Sequence, residues 1–241
     1  MAASRSLNPF RTLVLYRNFR IFWIGQTISL IGSWMQQVAV GWLALELSND
    51  PFLVGLVAAA GTLPILLFSL PGGMLADVAD KLRVIRIAQG LMLLEATALW
   101  LLSLTGHLSI GWLIALTSIG GTLAAFEIPA RQALFVELVG RDDLPAAIGL
   151  NSTGFNLARV IGPSLGAVVI AQLGMPWTFG LNALSFLAVL AGLAMITLPV
   201  RDSAERPRQS ALEGIAEAVR YVRETRPLPT LMLFAMVFSV L

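Results

Sequence analysis

The chain has 241 residues, of which 57% are hydrophobic and only 12% charged, with a mean hydropathy of +0.81; in soluble proteins about a quarter of residues are charged. This composition reads as a membrane protein and excludes disorder, which needs low hydrophobicity, and nucleic-acid binding, which needs clustered basic residues on a soluble face. The lack of cysteine removes disulfides, Cys-ligated zinc, iron–sulfur clusters and thiol nucleophiles. The single histidine, His107, makes a His-based metal site or a Ser/His/Asp triad hard to build, so neither a metal nor a cofactor is expected.

A bilayer core about 30 Å thick needs roughly 20 apolar residues of helix, and runs of that length lie between charged or Gly/Pro-marked breaks. Residues 1–18 form an N-terminal segment, and Asn8 to Arg20 reads as an interfacial stretch, with Phe10, Leu13, Val14 and Phe19 against the bilayer and arginines at headgroup depth. An all-α bundle of six spans follows over residues 19–198: Phe19 to Leu45, Phe52 to Leu75, Val84 to Leu104, Ser109 to Ala130, Leu144 to Ala171 and Trp177 to Leu198. Tryptophans near the span ends fit an aromatic belt.

Residues 199–227 are a linker. Ser210 and Glu213 have capping-box spacing, and Leu212, Ile215, Ala216, Val219 and Val222 recur on one face, so an amphipathic helix is expected there. It lies on the membrane or on the ends of the bundle, or is a solvated spacer. From Leu228 the chain is apolar for about 14 residues, short of the roughly 20 a span needs, and 228–241 reads as the start of a seventh span.

The sixteen Lys and Arg residues are distributed on one side. Arg5, Arg11, Arg17 and Arg20 stand at the head of the first span; Lys81, Arg83 and Arg86 follow the second; Arg131 and Arg141 follow the fourth; the rest, apart from Arg159 inside the fifth, follow the sixth. The loops near Ser48 to Pro51, Gly106 to Leu108 and Gly174 to Pro176 have none. Short basic loops stay cytoplasmic, so a cytoplasmic N-terminus in a cell (inner or plasma) membrane is expected. Transporters are often built from inverted three-helix repeats. At an offset of 94 residues Gly55, Leu56, Leu63 and Gly72 fall on Gly149, Leu150, Leu157 and Gly166, which supports a 3+3 arrangement.

Ionisable groups deep in spans are costly and usually face a bundle interior or a cavity. Glu95 lies halfway along the third span, Arg159 halfway along the fifth and Glu127 in the last third of the fourth. Glu127 is four residues before Arg131, the acid-first helix spacing, and either pairs with it or takes part in proton coupling. Glu95 has no local basic partner; burial disfavours the charged form of a carboxylate, which suits a proton carrier, although Glu95 could also face water or bridge to Arg159. Arg159 cannot shed its charge and needs an acidic partner or an anionic substrate. In the first span Gln26, Gln36 and Gln37 are uncharged polar residues, and Gln26 and Gln37, three turns apart, share a face expected to line a cavity. Gly162 and Pro163 mark a bend in the fifth span.

The stretch from Gly72 and Gly73 through Leu75-Ala76-Asp77 to Lys81 and Arg83 resembles the loop motif of the major facilitator superfamily, with Val78 and Asp80 standing where that motif has a basic residue and a second glycine. Asn18-Phe19-Arg20, Gly32-Ser33-Trp34, Pro129-Ala130-Arg131-Gln132 and Asn156-Leu157-Ala158-Arg159 through Gly162-Pro163 resemble its enterobactin-export and macrolide-efflux branch of proton-driven drug and siderophore exporters. The resemblance implies the first six-helix bundle of a twelve-helix transporter, with a second bundle as its missing partner. It implies that Asp77 caps and pairs with helix ends, that Lys81 and Arg83 sit at headgroups, that Gly73 allows close helix approach, and that together they latch a gate. The implied function is proton-coupled efflux of a small amphipathic molecule by alternating access, with Gln26, Gln36, Gln37, Glu95, Glu127, Asn156 and Arg159 along the substrate and proton path. The other readings are a half-transporter or membrane scaffold without transport of its own and, less favoured, an intramembrane enzyme, which would need a membrane-embedded histidine as base for a serine.

Overall fold

A computed structural model describes residues 10–197, which belong to one compact unit; the linker, its amphipathic helix and the apolar run from Leu228 lie outside the described residues. Among the described residues there are seven helices and no strand: α1 (Phe10–Leu15), α2 (Arg17–Ser48), α3 (Pro51–Val78), α4 (Lys81–Leu104), α5 (Ile110–Val139), α6 (Leu144–Leu173) and α7 (Pro176–Ala194). The last six are long and apolar enough to cross a membrane, so the chain is a multi-pass membrane protein.

Local chemistry sets the helix ends. Asn49 closes α2 in the left-handed region at φ 48°. Asp50 then caps α3 by accepting from the Phe52 amide at 2.9 Å, with Pro51 in the first turn. Ser109 accepts from the Trp112 amide to open α5.

Two span ends differ from expectation. The fourth was expected to finish at Ala130, but α5 runs on through Pro129 to Val139, because the charges that end its apolar run are paired within the bundle rather than released to water. The sixth, expected to reach Leu198, stops at Ala194. Its last carbonyls are taken up by Arg86, whose Nη2 donates to Leu193 O at 2.6 Å and Ile196 O at 3.3 Å, and by Asn18, whose Nδ2 donates to Thr197 O at 3.2 Å.

The interfacial reading of the N-terminal stretch needs a correction. Phe10 and Val14 are exposed, but Phe19 is fully buried and meets Phe135 edge-on at 5.9 Å. The helix restarts after Tyr16, whose hydroxyl donates to Asp143 Oδ2 at 2.6 Å, and this register carries Phe19 inward.

α3 packs on α5, and α6 on α2; α7 packs on α2, and α4 on α5; α4 and α7 also pack on each other. Exchanging α2 with α5, α3 with α6 and α4 with α7 leaves this pairing pattern unchanged, as a repeat of two three-helix units requires. Glycines make the closest approaches. A Cβ on Gly72 would lie 2.2 Å from the Ala125 carbonyl oxygen, and one on Gly166 would lie 3.0 Å from Met35 Cγ. These two glycines match at the 94-residue offset, and each seats its helix on the repeat-related partner. With lipid as apolar as a side chain, close van der Waals packing is what holds such helices together.

Candidate functional site

The inward stripe of α4 carries Ile85, Gln89, Ala96 and Leu99 with Glu95 among them, all buried. Glu95 is 6% exposed, and Gln36 Nε2 of α2 donates to both of its carboxylate oxygens at 3.2 Å. Asn182 Nδ2 of α7 donates to Gln36 Oε1 at 2.7 Å, and the Ser185 hydroxyl is shared between Asn182 O at 2.7 Å and Asn182 Oδ1 at 3.1 Å. The donors are thus ordered toward the carboxylate, from α7 through α2 to α4. Gly32 makes room for this chain, since a Cβ there would lie 2.4 Å from Ser185 Oγ and 2.5 Å from Asn182 Oδ1. On its α5 side Glu95 faces Gly120, where a Cβ would be 3.7 Å from the carboxyl. No Lys or Arg among the described residues forms an ion pair with Glu95.

Six residues earlier on α4, about 9 Å along its axis, Gln89 organises a second buried group. Its Nε2 donates to Gln26 Oε1 at 3.4 Å and to Glu127 Oε1 at 3.3 Å. Arg131 Nε lies 3.5 Å from Glu127 Oε1, so the acid-first pair expected on the fourth span is present and buried. Gln89 Oε1 is buried with no hydrogen-bond partner among the described residues.

The remaining polar candidates lie elsewhere. Arg159 and Asn156 are exposed on α6 and Gln37 is exposed on α2. The Arg159 guanidinium stands 5.8 Å over the Trp34 ring, and Phe155 meets Trp34 edge-on at 5.7 Å. Asn156 Nδ2 donates back to Ser152 O at 2.8 Å. Gly162 is what lets α2 and α6 meet here: a Cβ would lie 2.5 Å from Trp34 Cβ and 2.9 Å from Ile31 O. Pro163 is accommodated inside α6, which continues to Leu173.

The structure therefore divides the expected path. Gln26 and Gln37 do not share one cavity-lining face; Gln26 is buried against Gln89 while Gln37 is exposed, because α2 is covered by different neighbours along its length. Gln36 joins Glu95. No bridge links Glu95 to Arg159 among the described residues.

The loop motif is also rearranged. The close-packing glycine is Gly72; a Cβ on Gly73 would meet nothing within 4 Å. Asp80 caps α4, accepting from the Arg83 amide at 2.8 Å, whereas Asp77 is exposed in the last turn of α3. Lys81 does not reach out to headgroups: its Nζ lies 3.0 Å from Glu137 Oε1, with side-chain exposures of 10% and 21%. Arg83 is exposed. Sequence reasoning missed Gln89, Asn182, Ser185 and Glu137. For Gln89 a signal was available, since it stands at helical spacing from Ile85 and Ala96 on the inward side of α4; Asn182 and Glu137 become partners only through packing between helices.

Six long apolar helices, paired as two interlocked triplets around buried charge, define the N-terminal bundle of the major facilitator fold. Comparison with known proteins narrows this: the family described as transmembrane secretion effectors matches residues 4–241, and the chain belongs to it. The chain is 28% identical to a staphyloferrin A transporter of Staphylococcus aureus, over 91% of its own length and 56% of that protein. It is 29% identical to the multidrug efflux pump Tap of Mycolicibacterium fortuitum, over 83% and 51%, and 28% identical to an enterobactin exporter of Citrobacter koseri, over 85% and 49%. These are transporters, not enzymes, and the chain spans about half the length of the curated relatives it matches. No solved structure matches it at a significant level.

Proposed function

We propose that this chain is the N-terminal half of a secondary active exporter that moves a small amphipathic molecule out of the cell by alternating access, coupled to protons. The observation that carries the reading is Glu95: a carboxyl group at the middle of a spanning helix, buried between helices, approached by the neutral amide of Gln36 and by no cation among the described residues. Such a group is costly to keep charged, and gaining or losing one proton alters how it interacts with the Gln36–Asn182–Ser185 chain linking α2, α4 and α7. Proton and substrate then bias one rocking equilibrium through their different affinities for its two ends. The siderophore and drug exporters among its relatives support efflux as the direction. In this reading the N-terminus is cytoplasmic, the protein resides in the inner or plasma membrane, and a second six-helix bundle completes the cavity. Asp77, Lys81 and Arg83 belong to a gate at the basic end.

The test uses the full-length protein in proteoliposomes. Glu95→Gln keeps the size and the Gln36 contact but removes the titratable group. It is expected to reduce substrate accumulation driven by a proton gradient to background, while substrate exchange without a gradient continues. Gradient-driven accumulation at the unaltered rate overturns the assignment of Glu95.

A further inference from the structure

The unburied surface of α6 has two sides. Leu157, Val160, Leu165 and Val168 present an apolar side, as lipid requires, whereas Ser152, Phe155, Asn156 and Arg159 cluster on another arc by helical spacing. That second arc borders the α2 seam at Trp34. A spanning helix turns its polar side to protein or to a water-filled cavity rather than to lipid. Arg159, at the midpoint of this arc, has no carboxylate within ion-pair distance among the described residues, and a guanidinium stays charged at any physiological pH. The Trp34 ring orients it but does not neutralise it. Phe155, 39% exposed, leaves part of a flat apolar surface open beside the cation.

We propose that Arg159, Trp34 and Phe155 form a binding subsite for an organic anion carrying an aromatic ring, with the acid group on the guanidinium and the ring against Phe155. This rests on the transporter reading above and sharpens it by fixing the charge of the substrate class. Trp34 and Gly162 are positioning residues: one holds the guanidinium from α2, and the other gives the indole its room. The planar guanidinium fork suits a two-oxygen acid group, and an aromatic ring adds to this through edge or offset contact with Phe155.

The test is equilibrium binding to the purified full-length protein in nanodiscs, with 1-naphthoate as probe and 1-naphthylmethylammonium and cyclohexanecarboxylate as comparisons. The naphthoate is expected to bind at least about tenfold more tightly than the ammonium probe. Arg159→Gln should remove that preference and Arg159→Lys should keep part of it, while Phe155→Leu lowers the ratio of naphthoate to cyclohexanecarboxylate affinity by about threefold. Equal weakening of anion and cation by Arg159→Gln makes the residue structural, and an absence of anion preference in the unaltered protein overturns the subsite. Gradient-driven transport measured on the same samples separates the two readings. Anion-selective binding without gradient-driven transport defeats the transporter reading alone, and transport with no anion preference defeats the subsite alone.

Discussion

In the interior of the bundle Glu127 lies against Arg131, Gln89 bonds both Gln26 and Glu127, and Glu95 receives Gln36. On the α2/α6 seam Arg159 has a Trp34 ring beneath it and no ion-paired acid among the described residues. Both regions place ionisable groups within helices that cross the membrane. The interior meets its charges with a partner one turn along α5 and with amide donors from neighbouring helices, whereas the seam leaves a charge and an aromatic surface open on one side. A group whose partners are already in place holds the bundle together or moves a single proton; a permanent charge left open is suited to receive something from outside the bundle.

That contrast can be broken most directly at the buried pair. Arg131→Met alone leaves Glu127 buried without its cation and is expected to destabilise the bundle by about 3–5 kcal/mol. Pairing it with Glu127→Leu should recover part of the loss in a double-mutant thermal unfolding cycle in detergent. Arg159→Met, lacking such a partner, should leave the unfolding midpoint nearly unchanged. A larger loss from Arg159→Met than from Arg131→Met would reverse the comparison.

Packing provides the next largest effect. Gly72→Ala pushes a methyl group onto a backbone carbonyl of α5 and is expected to cost about 1–3 kcal/mol, while Gly73→Ala, with open space around it, should be within about 0.5 kcal/mol of the parent. The same unfolding assay separates them, and equal effects would contradict the assignment of Gly72 as the contact glycine.

Lys81 and Glu137 are largely but not fully shielded. Lys81→Met is expected to cost about 1–3 kcal/mol, between the values for exposed and buried ion pairs, and exchanging the two residues, Lys81→Glu with Glu137→Lys, should restore part of it. A loss no larger than that from Arg83→Met would place Lys81 back at the surface. The smallest effect is at the cap. Asp80→Ala removes the acceptor for the Arg83 amide and should cost about 1 kcal/mol, whereas Asp77→Asn should slow transport turnover with substrate affinity unchanged if it serves the gate; a pure loss of substrate affinity would contradict that role.

Much of the architecture was written along the chain. Uninterrupted apolar runs fixed the number of spans, because an apolar stretch of about 20 residues has one inexpensive place to be. The spacing of Gly72 and Gly166 hinted at the repeat, and Glu127 with Arg131 could be paired because both lie on a single helix turn. The loop motif was legible as a pattern, but its contact glycine was misplaced by one residue: the superfamily resemblance pointed to Gly73, while the close approach to α5 is made at Gly72, and the cap of α4 comes from Asp80.

The sequence by itself thus determined the membrane class, the six spans and the rarity of charge within them, since these depend on local composition and on the cost of putting ions into hydrocarbon. Only the tertiary structure decided which polar groups meet. Gln36 reaches Glu95 while Gln37 faces outward, Asn182 comes from a helix 146 residues away, Glu137 turns Lys81 inward, and Phe19 packs into the core instead of the bilayer. Partner choice across helices follows from their rotation and close approach. In this bundle both are set by where glycine lets two backbones touch, which the hydrophobic pattern of any one helix does not contain.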